Sequence, residues 1–279
     1  MDKQIAVITG ASSGFGFMTS LELAKCGYFV IATMRNIEKS SQLLKRAEEL
    51  GVYDLIHIHE LDVTSQASIN RWRDFMKTLG RIDVLINNAG FAGAGFVEEI
   101  PLDEYRKQFE TNVFGVMAVT KAVLPIMREQ KKGRIINISS ISGRFGFPGL
   151  SPYISSKQAL EGWSEALRFE MKPFRVDVVL VEPGSFQTSI WTSGKHVTKK
   201  SLDVMSPYYG MMKKLEEHID KGADKFGDPS EVAKLIVKIA QKKQTRIRYM
   251  VGKGVKTAVF LKAILPWKVW EGIFLRQLK

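Results

Sequence analysis

Tyr153 and Lys157 stand four residues apart in Pro152-Tyr153-Ile154-Ser155-Ser156-Lys157, a stretch with a helical pattern. That spacing puts both side chains on one helix face. A fixed ammonium favours phenolate, so the pair predicts a lowered phenol pKa. Such a phenol can pass a proton to and from an alcohol oxygen near neutral pH. Many helices carry Tyr-x-x-x-Lys by chance, so the pair gains meaning only from a second motif. Near the start of the chain, Thr9-Gly10-Ala11-Ser12-Ser13-Gly14-Phe15-Gly16 joins a strand pattern to a helix pattern. Gly10 permits the tight turn, Gly14 lets the backbone approach a pyrophosphate, and Gly16 lets helix pack on strand. The helix N-terminus then offers amides and a positive dipole to phosphates. Its place at the head of a βαβ unit is the context such a loop requires. A dinucleotide loop and a proton-transfer pair on one chain point to oxidoreductase chemistry.

These residues need a scaffold, and the pattern supplies one. Strand-type runs fall at 4–9, 28–33, 55–60, 84–87, 134–139, 176–181 and 246–251. Helical patterns fall at 14–26, 37–50, 66–79, 102–130, 152–171 and 229–241. The strands are Val/Ile-rich and nearly continuous, as expected when both sheet faces are covered. Alternating β and α elements predict a three-layer, doubly wound α/β fold with a mostly parallel sheet of about seven strands and right-handed crossovers. Residues 1–253 form this domain, and 254–279 extend beyond it. Residues 185–226 break the rhythm with Phe186, Trp191, Met205, Tyr208, Tyr209, Met211, Met212 and Phe226. An apolar, Met-rich insertion after a strand end reads as a substrate lid.

Composition narrows the function classes. The chain has 279 residues, which suits one large α/β domain. Cys26 is the single cysteine, so neither an internal disulfide nor a multi-cysteine metal site can form. His57 and His59 would share a strand face, but no third ligand accompanies them, and a surface pair is the reading. No metal is expected. The N-terminus shows no signal-peptide apolar region, and no run of 18 uncharged apolar residues predicts a spanning helix. Of the net +12, residues 230–279 contribute ten, with twelve basic residues against Glu231 and Glu271. The charge therefore belongs to the C-terminal segment. No nucleic-acid motif goes with it.

Taken together, the chain resembles the short-chain dehydrogenase/reductase family over about residues 4–252. The glycine loop at 9–16 fits the family pattern. So do Asp62 and Val63 in Leu61-Asp62-Val63, Asn88, Ala89 and Gly90 in the Asn-Asn-Ala-Gly motif, and Asn112 in Thr-Asn-Val-Phe-Gly. Ser140 precedes the tyrosine by 13 residues, and Pro183-Gly184 is followed by Thr188. The resemblance implies a Rossmann fold with Asn112, Ser140, Tyr153 and Lys157 as the catalytic set. In that set Ser140 stabilises charge on the substrate oxygen, Tyr153 exchanges the proton, and Lys157 lowers the Tyr153 pKa and holds the nicotinamide ribose. Asn112 fixes a water that links Lys157 to solvent. Asp62 would hold the adenine amine and Thr188 the nicotinamide carboxamide. The Val181-Glu182-Pro183-Gly184 segment, the Arg248-Tyr249 strand and the extended C-terminus look like the branch with hydroxysteroid and retinol dehydrogenases.

The expected cofactor is NADP(H). NAD enzymes place an acid at the end of the second strand to bind the ribose 2′-hydroxyl. Here Met34 stands at that place and Arg35 follows it, and a guanidinium suits a 2′-phosphate. Ser12 and Thr33 could add hydroxyls. The expected reaction is hydride transfer between NADP(H) and a carbonyl or secondary alcohol on a bulky apolar substrate. The Met/aromatic insertion, the loop Phe145-Gly146-Phe147-Pro148-Gly149 and the tail motivate that choice. A 3-oxoacyl reductase and a non-catalytic NADP(H)-sensing scaffold are the alternatives. In the tail, broad apolar faces with Trp267, Trp270 and Phe274 are interrupted by lysines and arginines. The pattern fits an interfacial anchor on an anionic membrane surface. It fits equally a segment that walls the substrate pocket or is buried in a homo-oligomer. The expected location is cytoplasmic, peripheral to a membrane if the tail anchors. Pairing through 102–130 and 152–171 is the oligomer the resemblance implies.

Overall fold

In the computed structural model, residues 3–191, 194–222 and 225–278 are described. The strands are β1 (Ile5–Ile8), β2 (Phe29–Met34), β3 (Ile56–Glu60), β4 (Val84–Asn87), β5 (Ala92–Ala94), β6 (Gly133–Ile138), β7 (Val176–Pro183), β8 (Lys195–Val197) and β9 (Arg248–Val251). Seven of them form one sheet in the order β3-β2-β1-β4-β6-β7-β9, with every pairing parallel. Parallel neighbours require a crossover between them, and the intervening helices supply it.

The helices lie on both faces. On one, α1 (Gly14–Lys25), α2 (Ser41–Glu49) and α8 (Pro229–Gln241) bring Leu21, Leu43 and Ile236 onto Ile8, Val30 and Ile136. On the other, α3 (Gln66–Leu79), α5 (Gly115–Gln130) and α6 (Ser151–Met171) bring Trp72, Val123 and Leu167 onto Val7, Leu85 and Ile135. Each fully buried side chain of this size contributes roughly 1.5–3 kcal/mol relative to exposure. Burial on both faces explains the unbroken Val/Ile runs. Chain order reverses between β1 and β4. The crevice at their carboxyl ends is therefore the topological switch point where ligands bind in such sheets.

Local signals set several element ends. Asp228 accepts from the Ser230 backbone N–H at 2.8 Å and Pro229 opens α8. Gly80, at φ +62°, closes α3. Two helices differ from their sequence pattern. The 37–50 run begins with a 3₁₀ turn, Ile37–Ser40, before α2. The 102–130 run splits into α4 (Leu102–Phe109), a π-turn Glu110–Phe114 and α5. By length and composition Leu102–Gln130 could cross a membrane. Its residues Val116, Val119, Val123 and Met127 are buried in the protein, so it is a core helix.

The 185–226 insertion carries β8, which pairs in parallel with β5 in a small second sheet, and then α7 (Tyr209–Gly222). Phe186 and Met212 are buried, and Tyr208 stacks on Phe96. The Trp191 side chain lies outside the described residues. Two further helices, α9 (Val255–Ile264) and α10 (Trp267–Leu278), form the tail. Trp270 meets Phe145 edge-on at 4.9 Å, and Phe274 stacks over Phe147 at 6.1 Å. His57 and His59 both stack against Phe75 on one face of β3, a surface aromatic arrangement.

Candidate active site

The glycine loop is shaped by its neighbour, the end of β4. The Thr9 hydroxyl accepts from the backbone N–H groups of Asn88 (2.9 Å) and Ala89 (3.0 Å). Asn88 Nδ2 donates back to the carbonyls of Thr9 (2.9 Å) and Gly10 (3.0 Å). This lacing presses the two turns together. A Cβ on Gly10, which sits at φ +68°, would lie 2.9 Å from Ala89 Cα. One on Gly16 would lie 2.6 Å from Asn88 Nδ2 and collide with the Gly10 carbonyl. Glycine is therefore required at both positions by close approach. From the other side, Ser13 Oγ lies 2.9 Å from Ser189 Oγ, which joins the loop to the start of the 185–226 insertion.

Ser12, Ser13, Gly14, Phe15, Arg35, Asp62, Val63, Asn88, Ala89, Gly90, Pro183, Gly184 and Thr188 all line one cavity. The cavity has a volume of about 1240 Å³. Thr9 and Gly16 shape it from beneath without lining it. Thr33 departs from expectation. Its hydroxyl is fully buried and donates to the Ile8 carbonyl at 3.1 Å, so it offers nothing to a ligand. Asp62 Oδ1 accepts from the backbone N–H (2.9 Å) and hydroxyl (2.7 Å) of Thr64, which fixes the carboxylate at the rim.

The reactive end of the same cavity holds Ser140, Tyr153 and Lys157. Ser140 ends β6 and accepts from the Ser142 backbone N–H at 3.1 Å. Lys157 Nζ donates to the Ile138 carbonyl at 2.7 Å, which aims the ammonium along the helix face toward the phenol. It lies 5.6 Å from the centre of the Tyr153 ring. The spacing predicted a lowered Tyr153 pKa, and the structure reverses that sign. Burial pushes the phenol up to about 12, and the hydrogen bond with Ser140 offsets this only in part. Burial likewise lowers Lys157 to about 8, with the Glu161 carboxylate opposing. Near neutral pH the phenol therefore keeps its proton and the lysine keeps its charge.

Asn112 lies in the π-turn and is buried. Its Oδ1 accepts from Phe91 N–H at 3.2 Å, and Nδ2 donates to the Phe91 carbonyl (3.1 Å) and Ser156 Oγ (3.3 Å). The side chain is a clamp on the segment after Gly90, and the extra residue in the helix brings it there.

Sequence reasoning missed a charged cluster behind Lys157. Glu182 is fully buried on β7, and Glu161 follows Lys157 by one helical turn. Arg248 Nε lies 2.9 Å from Glu161 and 3.1 Å from Glu182. Arg248 also reaches Glu165 at 2.6 Å, and Arg144 lies 3.9 Å from Glu182. Burial first, then the negative Glu161, pushes Glu182 up to about 7. A proton held between Glu161 and Glu182 satisfies carboxylate oxygens that otherwise have no hydrogen-bond donor. The signal was available: an acid that directly follows the apolar run Val178–Val181 within one strand demands a buried partner.

Beyond the reactive end, Phe91, Pro101, Ile190 and Val197 form apolar walls, and Glu104, Lys107, Lys199 and Lys200 surround the outer part. Among the described residues, neither the Phe145–Phe147 loop nor the tail lines this cavity, contrary to the expectation that both border an apolar pocket. They pack on each other instead.

Comparison with known proteins agrees with this geometry. A family model described as short chain dehydrogenase matches residues 4–197. The chain is 47% identical over 279 residues to the uncharacterized oxidoreductase YusZ of Bacillus subtilis, covering 100% of this chain and 99% of that one. It is 38% identical over 256 residues to a 3-ketodihydrosphingosine reductase of Bacteroides thetaiotaomicron, covering 90% of this chain and 89% of the relative. A solved short-chain dehydrogenase from Streptomyces avermitilis matches with a TM-score of 0.81 at 32% identity, covering 98% of this chain and 97% of that one. The structure of ElxO with NADP bound matches with a TM-score of 0.76 at 28% identity, covering 92% and 100%.

Proposed function

The chain belongs to the short-chain dehydrogenase family, and on that premise we propose that it is an NADPH-dependent reductase of ketones carried on long apolar chains, with a 3-oxo group as the reacting carbonyl. The observation that carries the reading is the protonated, Ser140-bound phenol of Tyr153 in one cavity with the glycine loop and Arg35. A reductase needs a proton donor at neutral pH, and a phenol held at about 12 is one.

The cofactor fits the residues present. A Cβ would fill the cradle at Gly10 and Gly16. Arg35, with Met34 in place of an acid, suits a 2′-phosphate. Asp62 and Val63 would border the adenine, and Lys157, Pro183, Gly184 and Thr188 the nicotinamide end. Bound NADPH supplies the hydride. The chain's own groups do the rest. Ser140 and Tyr153 hydrogen-bond the substrate oxygen as charge develops on it. Tyr153 gives that oxygen its proton, and Lys157 stabilises the phenolate left behind. Asn112 holds Phe91 and Ser156 in place.

The substrate class rests on the apolar walls of Phe91, Ile190 and Val197. It also rests on the activity in the name of the Bacteroides thetaiotaomicron relative. Among steroid, retinoid and lipid-like substrates, this reading favours a lipid-like, linear chain. The exposed rings of Phe114 and Phe169, on the π-turn and α6, are the surface through which the chain would pair as a homo-oligomer.

NADPH oxidation tests the proposal across long-chain 3-oxo esters, 3-oxo amines, steroids and retinal, with Tyr153→Phe as the control. The expected result is turnover of the linear 3-oxo compounds with NADPH, lost in the variant. Turnover that survives Tyr153→Phe would overturn the catalytic assignment. A preference for steroid or retinal would overturn the substrate class.

A further inference from the structure

The tail is a helical hairpin with two distinct faces. One is fixed to the protein. Val255 and Trp270 are buried, Trp270 meets Phe145, and Phe274 stacks on Phe147. Because these contacts set the orientation of α9 and α10, the opposite face is also defined. On α9, Phe260 (62% exposed) and Ile264 (57%) lie opposite the buried Val255, and Trp267 (64%) is exposed at the start of α10. Val269, Ile273 and Leu275 add further exposed apolar surface on α10. Large apolar side chains exposed in succession differ from the scattered exposure of ordinary surfaces.

Charge decides what covers this face. Residues 253–279 hold six basic side chains and one acid, Glu271. Lys253, Lys256, Lys268 and Arg276 are exposed. Lys262 Nζ sits 4.2 Å from the Trp267 ring and 5.5 Å from that of Trp270, so its stem covers the seam while its charge stays at the surface. A second copy of the chain is a poor occupant. An isologous contact would bring this basic patch against itself. An anionic surface complements it. Tryptophan beside lysine on an in-plane helix suits the boundary between headgroups and acyl chains.

We propose that α9 and α10 dock the protein on an anionic lipid bilayer, with Phe260, Ile264 and Trp267 in the interface and the basic side chains against the headgroups. This goes beyond the proposed reductase activity and is read by binding, so either can fail without the other.

The test is sedimentation of the full chain with phosphatidylcholine vesicles, with and without phosphatidylglycerol. Binding should require phosphatidylglycerol and weaken with salt, each basic side chain near the surface contributing roughly fivefold in partitioning. Phe260→Asp with Ile264→Asp should lose at least tenfold in partitioning. The same variant should keep its melting temperature and its rate of NADPH oxidation, because both positions are exposed and outside the cavity. Absence of pelleting with phosphatidylglycerol, or equal pelleting without it, overturns the proposal. So does a concentration-dependent dimer in light scattering that disappears in the double variant, which would make a second copy the occupant.

Discussion

Replacing Glu161 by Gln should lower the upper pH limit of the proposed reductase activity. In the proposed mechanism Lys157 must be charged to stabilise the phenolate that Tyr153 becomes after giving up its proton. Burial lowers Lys157 to about 8, and the Glu161 carboxylate is the group that resists this. Rate should therefore fall above pH about 8 in the unmutated protein, as Lys157 deprotonates and well before Tyr153 does. Side chains one turn apart on a helix lie roughly 6 Å from each other. A unit charge at that distance, in an effective dielectric of about 20, is worth about 3 kcal/mol, or roughly two decades in an acid constant. Arg248, 2.9 Å from Glu161, cancels part of that field. The expected displacement is therefore about one pH, downward. The assay is kcat/KM for a non-ionising ketone across pH at saturating NADPH. Melting temperature and NADPH affinity serve as controls for folding. An unmoved or upward limb refutes the electrostatic argument. A uniform loss of rate at every pH assigns Glu161 a structural role alone.

Three further outcomes follow from the geometry. Arg35→Asp should raise KM for NADPH roughly ten- to a hundredfold, the worth of a charged hydrogen bond, and favour NADH; equal kcat/KM for the two cofactors in the unmutated protein would defeat the assignment. Gly16→Ala forces a Cβ against the Gly10 carbonyl and Asn88. It should cost about 1–3 kcal/mol, seen as a lower melting temperature together with weaker NADPH binding; an unchanged melting temperature would show that the loop can yield. Glu182 stands at about 7, raised by burial. Its protonated form is the one the fold prefers, so this contribution to stability is complete below its ordinary value of 4.5 and is lost as pH rises through about 7. Glu182→Gln should flatten that decline in melting temperature, and parallel declines in the two proteins would count against a proton at Glu182.

The sheet and the glycine loop were legible because their signals are local. Val/Ile runs mark strands buried on both faces, and Thr9 to Gly16 carries its meaning in its own spacing. The π-turn was not legible, because the contact it makes possible, Asn112 with Phe91, spans 21 residues of sequence. The β5–β8 pair was missed because Ala92-Gly93-Ala94 has no strand propensity. It is held by outside groups: Gln108 accepts from Gly93 N–H at 2.6 Å, and Ala92 N–H reaches the Gly194 carbonyl at 3.0 Å. The Tyr153 pKa failed for a related reason. A four-residue interval reports adjacency on a helix but not burial, and burial dominates the phenol.

The tail shows what such reasoning becomes once one contact is known. Periodicity left its apolar faces without an assignment. The contact of Trp270 with Phe145 gives one face to the protein and frees the other. That contact also bears on the site. Phe145 lies five residues after Ser140, and the 3₁₀ turn Ile141–Gly143 joins them. A hairpin that grips Phe145 and Phe147 therefore restrains the segment that positions the Ser140 hydroxyl. Ser140 and the exposed basic hairpin are linked through one short stretch of chain, although the described residues of the hairpin do not line the cavity.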